Sequence, residues 1–312
     1  MVGLFRNKYL WGFILVYFVA KVILTSIFHQ PFSDSLFFAF LFGIFLPFIS
    51  FALTRNFPVP PADKPAFKNE ALVIIALVLW ICWYISYGTG WINSLVPKSL
   101  FDLPRETSIY VLVKKLSVFF LIPFLLYRTF GFGLNDFGLN IRGPLFQKSH
   151  SAIVFIILSL IVLVYQYIWG QGAEPLRKGI FSTGQIIIGI PLCFAWYFIE
   201  VGLVEEFFFR ALLQSRISVL LKSNVAGILI SGLIFGLAHA PGLYLRGAGS
   251  EGVNEQLPFI FWAAYTITVM SLAGIFLGII WSRTRNLWLI MAIHAMVDLI
   301  PNLPDFIRTW HL

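Results

Sequence analysis

Long apolar stretches separated by short polar segments run through the whole sequence. A helix needs about 20 mostly apolar residues to cross the hydrocarbon core of a bilayer, which is roughly 30 Å thick. Stretches of suitable length and composition occur near residues 10–28, 36–53, 71–92, 109–127, 150–169, 187–209, 225–240, 258–281 and 287–303. The pattern therefore predicts an all-α, polytopic transmembrane helical bundle of about eight to nine spans.

Composition and charge agree with this prediction. Only 12% of the residues are charged, against about 25% in soluble domains. The net charge of +8 does not indicate nucleic-acid binding, because the basic residues form no run and lie mostly between spans. Every second loop is basic, as the positive-inside rule describes; the residues concerned are Arg6, Lys8, Arg55, Lys64, Lys68, Arg128, Arg142, Lys148, Arg210, Arg216, Lys222, Arg283 and Arg285. We expect a cytoplasmic N-terminus and a C-terminus outside.

Few polar groups interrupt the apolar runs before residue 150. Lys21, Lys114 and Lys115 do so, and a lysine near a helix end can extend its ammonium to the membrane surface. We expect all three to do this. The two cysteines, Cys82 and Cys193, lie inside apolar runs, where a lone cysteine behaves as a small hydrophobic residue.

Ionisable residues concentrate in the apolar runs after residue 190. Each costs several kcal/mol in lipid, so such residues are candidates for function. They are Glu200, Glu205, Glu206, Arg210, His239, His294 and Asp298. A functional site is therefore expected in the last third of the chain.

The first cluster is EEFFFR, residues 205–210. In an α-helix Glu206 and Arg210 share one face, where a salt bridge can form, and Glu205 points about 100° away. This favours a supporting role for the pair and a cavity-facing Glu205. Alternatively, the helix has already left the membrane here and all three side chains are solvated.

Two further motifs each place a histidine four residues from a partner. FGLAH, 235–239, puts His239 one turn beyond Phe235, and HAMVD, 294–298, puts Asp298 one turn beyond His294. His239 can also be an interfacial residue, and His294 with Asp298 a structural hydrogen bond. Taken together, these carboxylates and imidazoles can bind zinc, or can activate water without a metal, with a glutamate as general base.

The order of these motifs, EExxxR, then FxxxH, then HxxxN or HxxxD, resembles the CPBP group, which comprises CAAX prenyl proteases and bacteriocin-processing enzymes. The resemblance covers roughly residues 185–300. It implies a catalytic core over 150–312, preceded by variable N-terminal helices over 1–149. It also implies an intramembrane endopeptidase of the metallo or glutamate-dependent type.

The resemblance implies a role for each motif residue. Glu205 and His239 would activate the attacking water, and His294 with Asp298 would stabilise the oxyanion or bind a metal. Supporting roles would go to Glu206, Arg210 and Phe235.

The CAAX protease version of the last motif has Asn at the position of Asp298. An ionised carboxylate repels a developing oxyanion. Asp298 is therefore protonated, orients His294 or ligates a cation, and we favour the last two. This departure favours a zinc site, with Glu205, His239, His294 and Asp298 as ligands.

The leading hypothesis is thus a membrane-embedded endopeptidase, with a bacterial plasma (inner) membrane as the expected location. Its substrate would be a peptide or a membrane-anchored protein, lipidated or not, cut near the cytoplasmic face. We expect the enzyme to contact membrane lipid and to bind no nucleic acid. The alternative is a non-catalytic peptide-binding or immunity protein of the same fold. A proton-relaying transporter is less favoured because the sequence shows no repeated half.

Overall fold

The computed structural model describes residues 7–312 except 59, 61, 62, 140–148, 250, 252 and 254. These residues contain no strand, and nine of their helices are long and apolar enough to cross a membrane. They are α1 (Lys8–Ile27), α2 (Leu36–Leu53), α3 (Glu70–Ser94), α4 (Pro104–Thr129), α5 (His150–Trp169), α6 (Thr183–Leu220), α7 (Asn224–Arg246), α8 (Phe259–Thr284) and α9 (Leu287–Trp310). The predicted all-α polytopic bundle is confirmed.

The orientation of the chain in the membrane stays a prediction. Three of the basic residues on which it rests, Arg6, Arg142 and Lys148, lie outside the described residues.

Helix α6 is longer than predicted. The apolar pattern ends near residue 209, but the helix continues to Leu220 and has 38 residues. The charged cluster does not end it, because Glu206 and Arg210 are 0% and 1% exposed. The alternative in which these charges are solvated is therefore wrong for both residues.

Much of α6 is π-helical. The segments Phe198–Leu203 and Glu206–Gln214 are π-helices, and Glu205 lies between them. Backbone bonds in a π-helix run from residue i to i+5, and single π-turns inside α-helices occur frequently at functional sites. The four-residue face rule used for Glu206 and Arg210 assumes α-helical geometry and does not apply to this segment.

The chain divides into two compact units. Unit 1 comprises Met1–Thr89 and Phe209–Arg285, and unit 2 comprises Gly90–Phe208 and Asn286–Leu312. The division between variable and catalytic regions at residue 149 is a statement about sequence, and it stays a prediction.

Unit 1 is built around α7 and α8. Helix α7 packs against α8, α1 and the last part of α6, and α8 also packs against α2. A β-carbon on Gly236 would lie 2.3 Å from Ser271 Oγ and 2.7 Å from Thr266 O. Only glycine therefore allows α7 to approach α8 this closely, one turn from His239.

Unit 2 is built around α9, which packs against α4, α5 and α6. Its core contains Cys193 from α6 with Leu299 and Leu303 from α9. A β-carbon on Gly202 would lie 2.8 Å from the carbonyl oxygen of Met291. This close approach places the acidic segment of α6 beside the second turn of α9.

A proline in α9 leaves one carbonyl for another helix to satisfy. Pro301 has no N–H, so the carbonyl of Val297 lacks its usual donor four residues later. The side-chain amide of Gln166 in α5 donates to that carbonyl. Helix α5 is thereby bonded to the turn that carries Asp298.

The lysine prediction is wrong for Lys21 and Lys114. Lys21 and Lys114 are buried, and all three ammonium groups bond to other side chains of the protein. Lys21 Nζ donates to Ser35 Oγ at 2.6 Å, Lys114 Nζ to Asn93 Oδ1 at 2.8 Å, and Lys115 Nζ to Glu200 Oε1 at 2.5 Å. A polar partner within the protein replaces the water that each ammonium would otherwise contact.

The contact at Gly202 leads to a prediction about stability. Gly202→Ala places a methyl group against the backbone of Met291, which cannot rotate away, so α6 and α9 must separate. We expect a loss of about 1–3 kcal/mol in the free energy of unfolding, measured as a lower melting temperature in detergent. Gly12→Ala is the control, since a β-carbon there meets no atom within 4 Å. Equal melting temperatures for the two variants would contradict the close packing of α6 on α9.

Candidate active site

A buried histidine lies between two carboxylates in unit 2. His294 of α9 is 5% exposed, and its Nδ1 is 2.5 Å from Oε1 of Glu206 in α6. Its Nε2 faces Oδ2 of Asp298 at 3.7 Å, too far for a hydrogen bond. The group that holds the ring is therefore Glu206, because the Nδ1–H donates to its carboxylate, and Asp298 is an electrostatic neighbour.

Glu205 belongs to the same cluster. It is half-buried, and its charge acts on both His294 and Asp298. The structure thus brings together four of the residues that the sequence predicted, from α6 and α9. Those four are Glu205, Glu206, His294 and Asp298.

Two further residues of the cluster were not assigned a role from the sequence. Glu200, in the first π-helical segment of α6, pairs with Lys115 of α4. The charge of Lys115 also acts on Glu205 and Asp298. The sequence identifies Glu200 only as an ionisable residue in an apolar run, and it predicts that Lys115 reaches the membrane surface.

The other three predicted residues lie together in unit 1. Phe235 of α7 is in contact with Arg210, whose Cζ lies 4.1 Å from the ring centre. It is also in contact with the imidazole of His239, with 4.7 Å between ring centres. Arg210 is also 3.5 Å from the carbonyl of Gly274. Phe235 is therefore the side chain that contacts both polar groups, consistent with a supporting role.

The tautomer of His239 follows from its hydrogen bond. Nδ1 lies 2.7 Å from the carbonyl oxygen of Phe235, and a carbonyl can only accept. Nδ1 therefore carries the proton, and in the neutral ring the lone pair is on Nε2. His239 is half-buried, so Nε2 is the nitrogen with acceptor capacity.

The zinc expectation concerns Glu205, His239, His294 and Asp298. Both histidines use Nδ1 for a carboxylate or a carbonyl, which is the arrangement that orients Nε2 toward a metal. In the part of the chain that the structure describes, however, no group of three or more His, Cys, Asp or Glu side chains is placed to hold an ion. As placed, these residues do not fit a zinc site, so zinc and its ligand set stay a prediction.

Comparison with known proteins gives one match. Residues 186–300 match the family model described as type II CAAX prenyl endopeptidase Rce1-like. No curated protein and no solved structure matches the chain. The matched segment runs from near the start of α6 into α9 and contains every site residue predicted from the sequence, whereas Lys115 lies outside it.

The chain is an integral membrane protein, as the nine apolar helices described above and the family match indicate. The matched family consists of membrane proteases, which act on a protein or peptide substrate in the membrane. The resemblance to the CPBP group is confirmed. Residues 186–300 are an Rce1-like type II CAAX prenyl endopeptidase domain.

Proposed function

We propose that this chain hydrolyses a peptide bond of a membrane-borne peptide or protein, with Glu205 as the general base that activates water. The observation that carries the proposal is the cluster in unit 2. There Nδ1 of His294 lies 2.5 Å from Oε1 of Glu206 and Nε2 lies 3.7 Å from Oδ2 of Asp298, with Glu205 next to Glu206 in α6, inside helices that are apolar enough to span a membrane.

Glu205 suits the role of base better than Glu206. A general base must reach the proton that it removes, and Glu205 keeps partial exposure. Glu206 is 0% exposed, and its Oε1 is occupied by His294. We assign the second base to His239 on the resemblance alone, since its Nε2 carries the lone pair in the neutral ring.

His294 is proposed to stabilise the oxyanion of the tetrahedral intermediate. Donors that are fixed before the reaction stabilise developing charge most effectively. Glu206 fixes the ring through Nδ1, so an imidazolium there would present its Nε2–H to the oxyanion. Asp298, 3.7 Å from Nε2, would balance the charge of that imidazolium.

The finer assignments rest on the resemblance. They are a cleavage site near the cytoplasmic face, a lipidated C-terminus or a leader peptide as substrate, and a bacterial plasma membrane as location. A resident zinc is tested separately: about one zinc per purified chain, lost in His294→Ala, would establish it. Full activity of zinc-free protein in a strong chelator would assign the reaction to the glutamate route.

The proposed reaction predicts the fate of the oxygen atom of water. Purified protein in detergent, incubated in ¹⁸O-labelled water with lipidated C-terminal peptides and leader peptides, is expected to release a fragment whose new carboxylate contains ¹⁸O. Mass spectrometry of the fragments is the measurement. A peptide that binds tightly and is recovered uncut would contradict hydrolysis and favour the peptide-binding alternative.

A further inference from the structure

A lysine from outside the protease domain is part of the carboxylate cluster. Lys115 lies near the middle of α4, and its Nζ is 2.5 Å from Glu200 Oε1 in α6. The two side chains are 29% and 12% exposed. Ionisable residues inside membrane spans pair with one another because an unpaired charge there is costly.

Lys115 interacts electrostatically with other carboxylates besides its partner Glu200. It acts on Glu205 and Asp298 as well as on Glu200. The cluster therefore contains four carboxylates and two basic groups: Glu200, Glu205, Glu206 and Asp298 with Lys115 and His294. Electrostatic neighbours of these residues include Lys114, Cys193 and Tyr197, and Tyr197 also interacts with Asp305.

The two basic groups serve different carboxylates. His294 bonds to Glu206 and faces Asp298, whereas Lys115 bonds to Glu200. Without Lys115, its partner Glu200 would lose its ion pair, and the repulsion among Glu200, Glu205 and Asp298 would lose the positive charge that offsets it. Removing one partner of a buried pair leaves an uncompensated charge.

We propose that Lys115 is a positioning residue of the active site, which holds the Glu200 carboxylate and supplies positive charge to the carboxylate cluster of α6 and α9. The inference rests on the proposed function. It assigns to α4, which lies outside the matched domain, a part in the reaction of α6 and α9.

The neighbouring lysine provides a matched control. Lys114 is on the same helix and is buried, but its ammonium bonds to the neutral side chain of Asn93 and lies 4.9 Å from the ring centre of Tyr110. Lys114→Met removes the same charge one residue away without unpairing a carboxylate. The set of variants is Lys115→Met, Lys115→Arg, Lys114→Met, Glu200→Gln and the double variant Lys115→Met with Glu200→Gln.

The readouts are kcat, KM and the melting temperature of each purified variant. Lys115→Met is expected to lower kcat about 10- to 100-fold and to change KM by less than about threefold, because substrate contacts remain. Lys115→Arg keeps the positive charge and should therefore retain most of the wild-type kcat. The double variant removes one positive and one negative charge, and its kcat should be higher than that of Lys115→Met.

Lys114→Met should keep kcat within about threefold of the wild-type value. If Lys115→Met does not fold, the double variant decides: a kcat near that of the wild type supports charge balance, and a kcat reduced more than in Glu200→Gln overturns the proposal.

Other outcomes overturn it as well. One is a wild-type kcat for Lys115→Met; another is an equal loss of kcat in Lys114→Met and Lys115→Met. An active wild type with an inactive Glu205→Gln and an unaffected Lys115→Met removes this inference and leaves the proposed function intact. A wild type that cleaves nothing overturns both.

Discussion

Glu205→Gln is expected to abolish peptide cleavage and to leave the melting temperature near that of the wild type. The amide keeps the size of the side chain but cannot accept a proton. Loss of a general base typically lowers the reaction rate about 10²- to 10⁴-fold. Stability should change little because glutamine has the size of glutamate and Glu205 is only half-buried. The measurements are the rate of fragment release at saturating peptide and a thermal melt in detergent.

The control for this variant is the same substitution in an exposed helix. Glu174 lies between α5 and α6 and pairs with Lys178 four residues later, with more than half of its side chain exposed. Glu174→Gln should leave both rate and melting temperature unchanged. Full activity in Glu205→Gln would remove the general-base role from this residue.

The spans could be predicted closely because a bilayer imposes a minimum apolar length on every crossing. The second predicted span, 36–53, coincides with α2 (Leu36–Leu53). The prediction failed at the end of α6, where a charged cluster resembles the membrane surface in sequence. A charged cluster at the membrane surface is solvated, whereas this one is buried by other helices. The local pattern of apolar residues does not distinguish a buried cluster from a solvated one.

Within the site, sequence spacing predicted contacts along one helix. Phe235 and His239 touch, as expected for residues four apart in an α-helix. The pairing of Glu206 with His294 was not predicted, because the two residues are 88 positions apart on different helices. The Lys115–Glu200 pair spans 85 positions and had one usable signal, namely a lysine and a glutamate in separate apolar runs without local partners.

Glu206→Ala is expected to lower stability as well as activity. Removal of one partner from a buried charged pair costs about 3–5 kcal/mol, and Glu206 is 0% exposed with its Oε1 against His294. Activity should fall because the imidazole loses the bond that fixes its orientation. Unfolding by denaturant in mixed micelles gives the free energy, and the peptide assay gives kcat. Glu206→Gln is the conservative variant, since its amide oxygen can still accept a hydrogen bond from Nδ1 of His294. It should lose less stability and less activity than Glu206→Ala.

The partner of Glu206 is identified by a double-mutant cycle with His294→Ala. If the hydrogen bond is the main contribution of Glu206, the two losses in stability are not additive, and a coupling energy of about 1–3 kcal/mol is expected between residues in direct contact. Additive losses would mean that Glu206 stabilises the protein through other neighbours. Loss of activity in Glu206→Ala with unchanged stability would instead place its carboxylate among the reacting groups, because a supporting residue that is fully buried cannot be removed without a cost in folding.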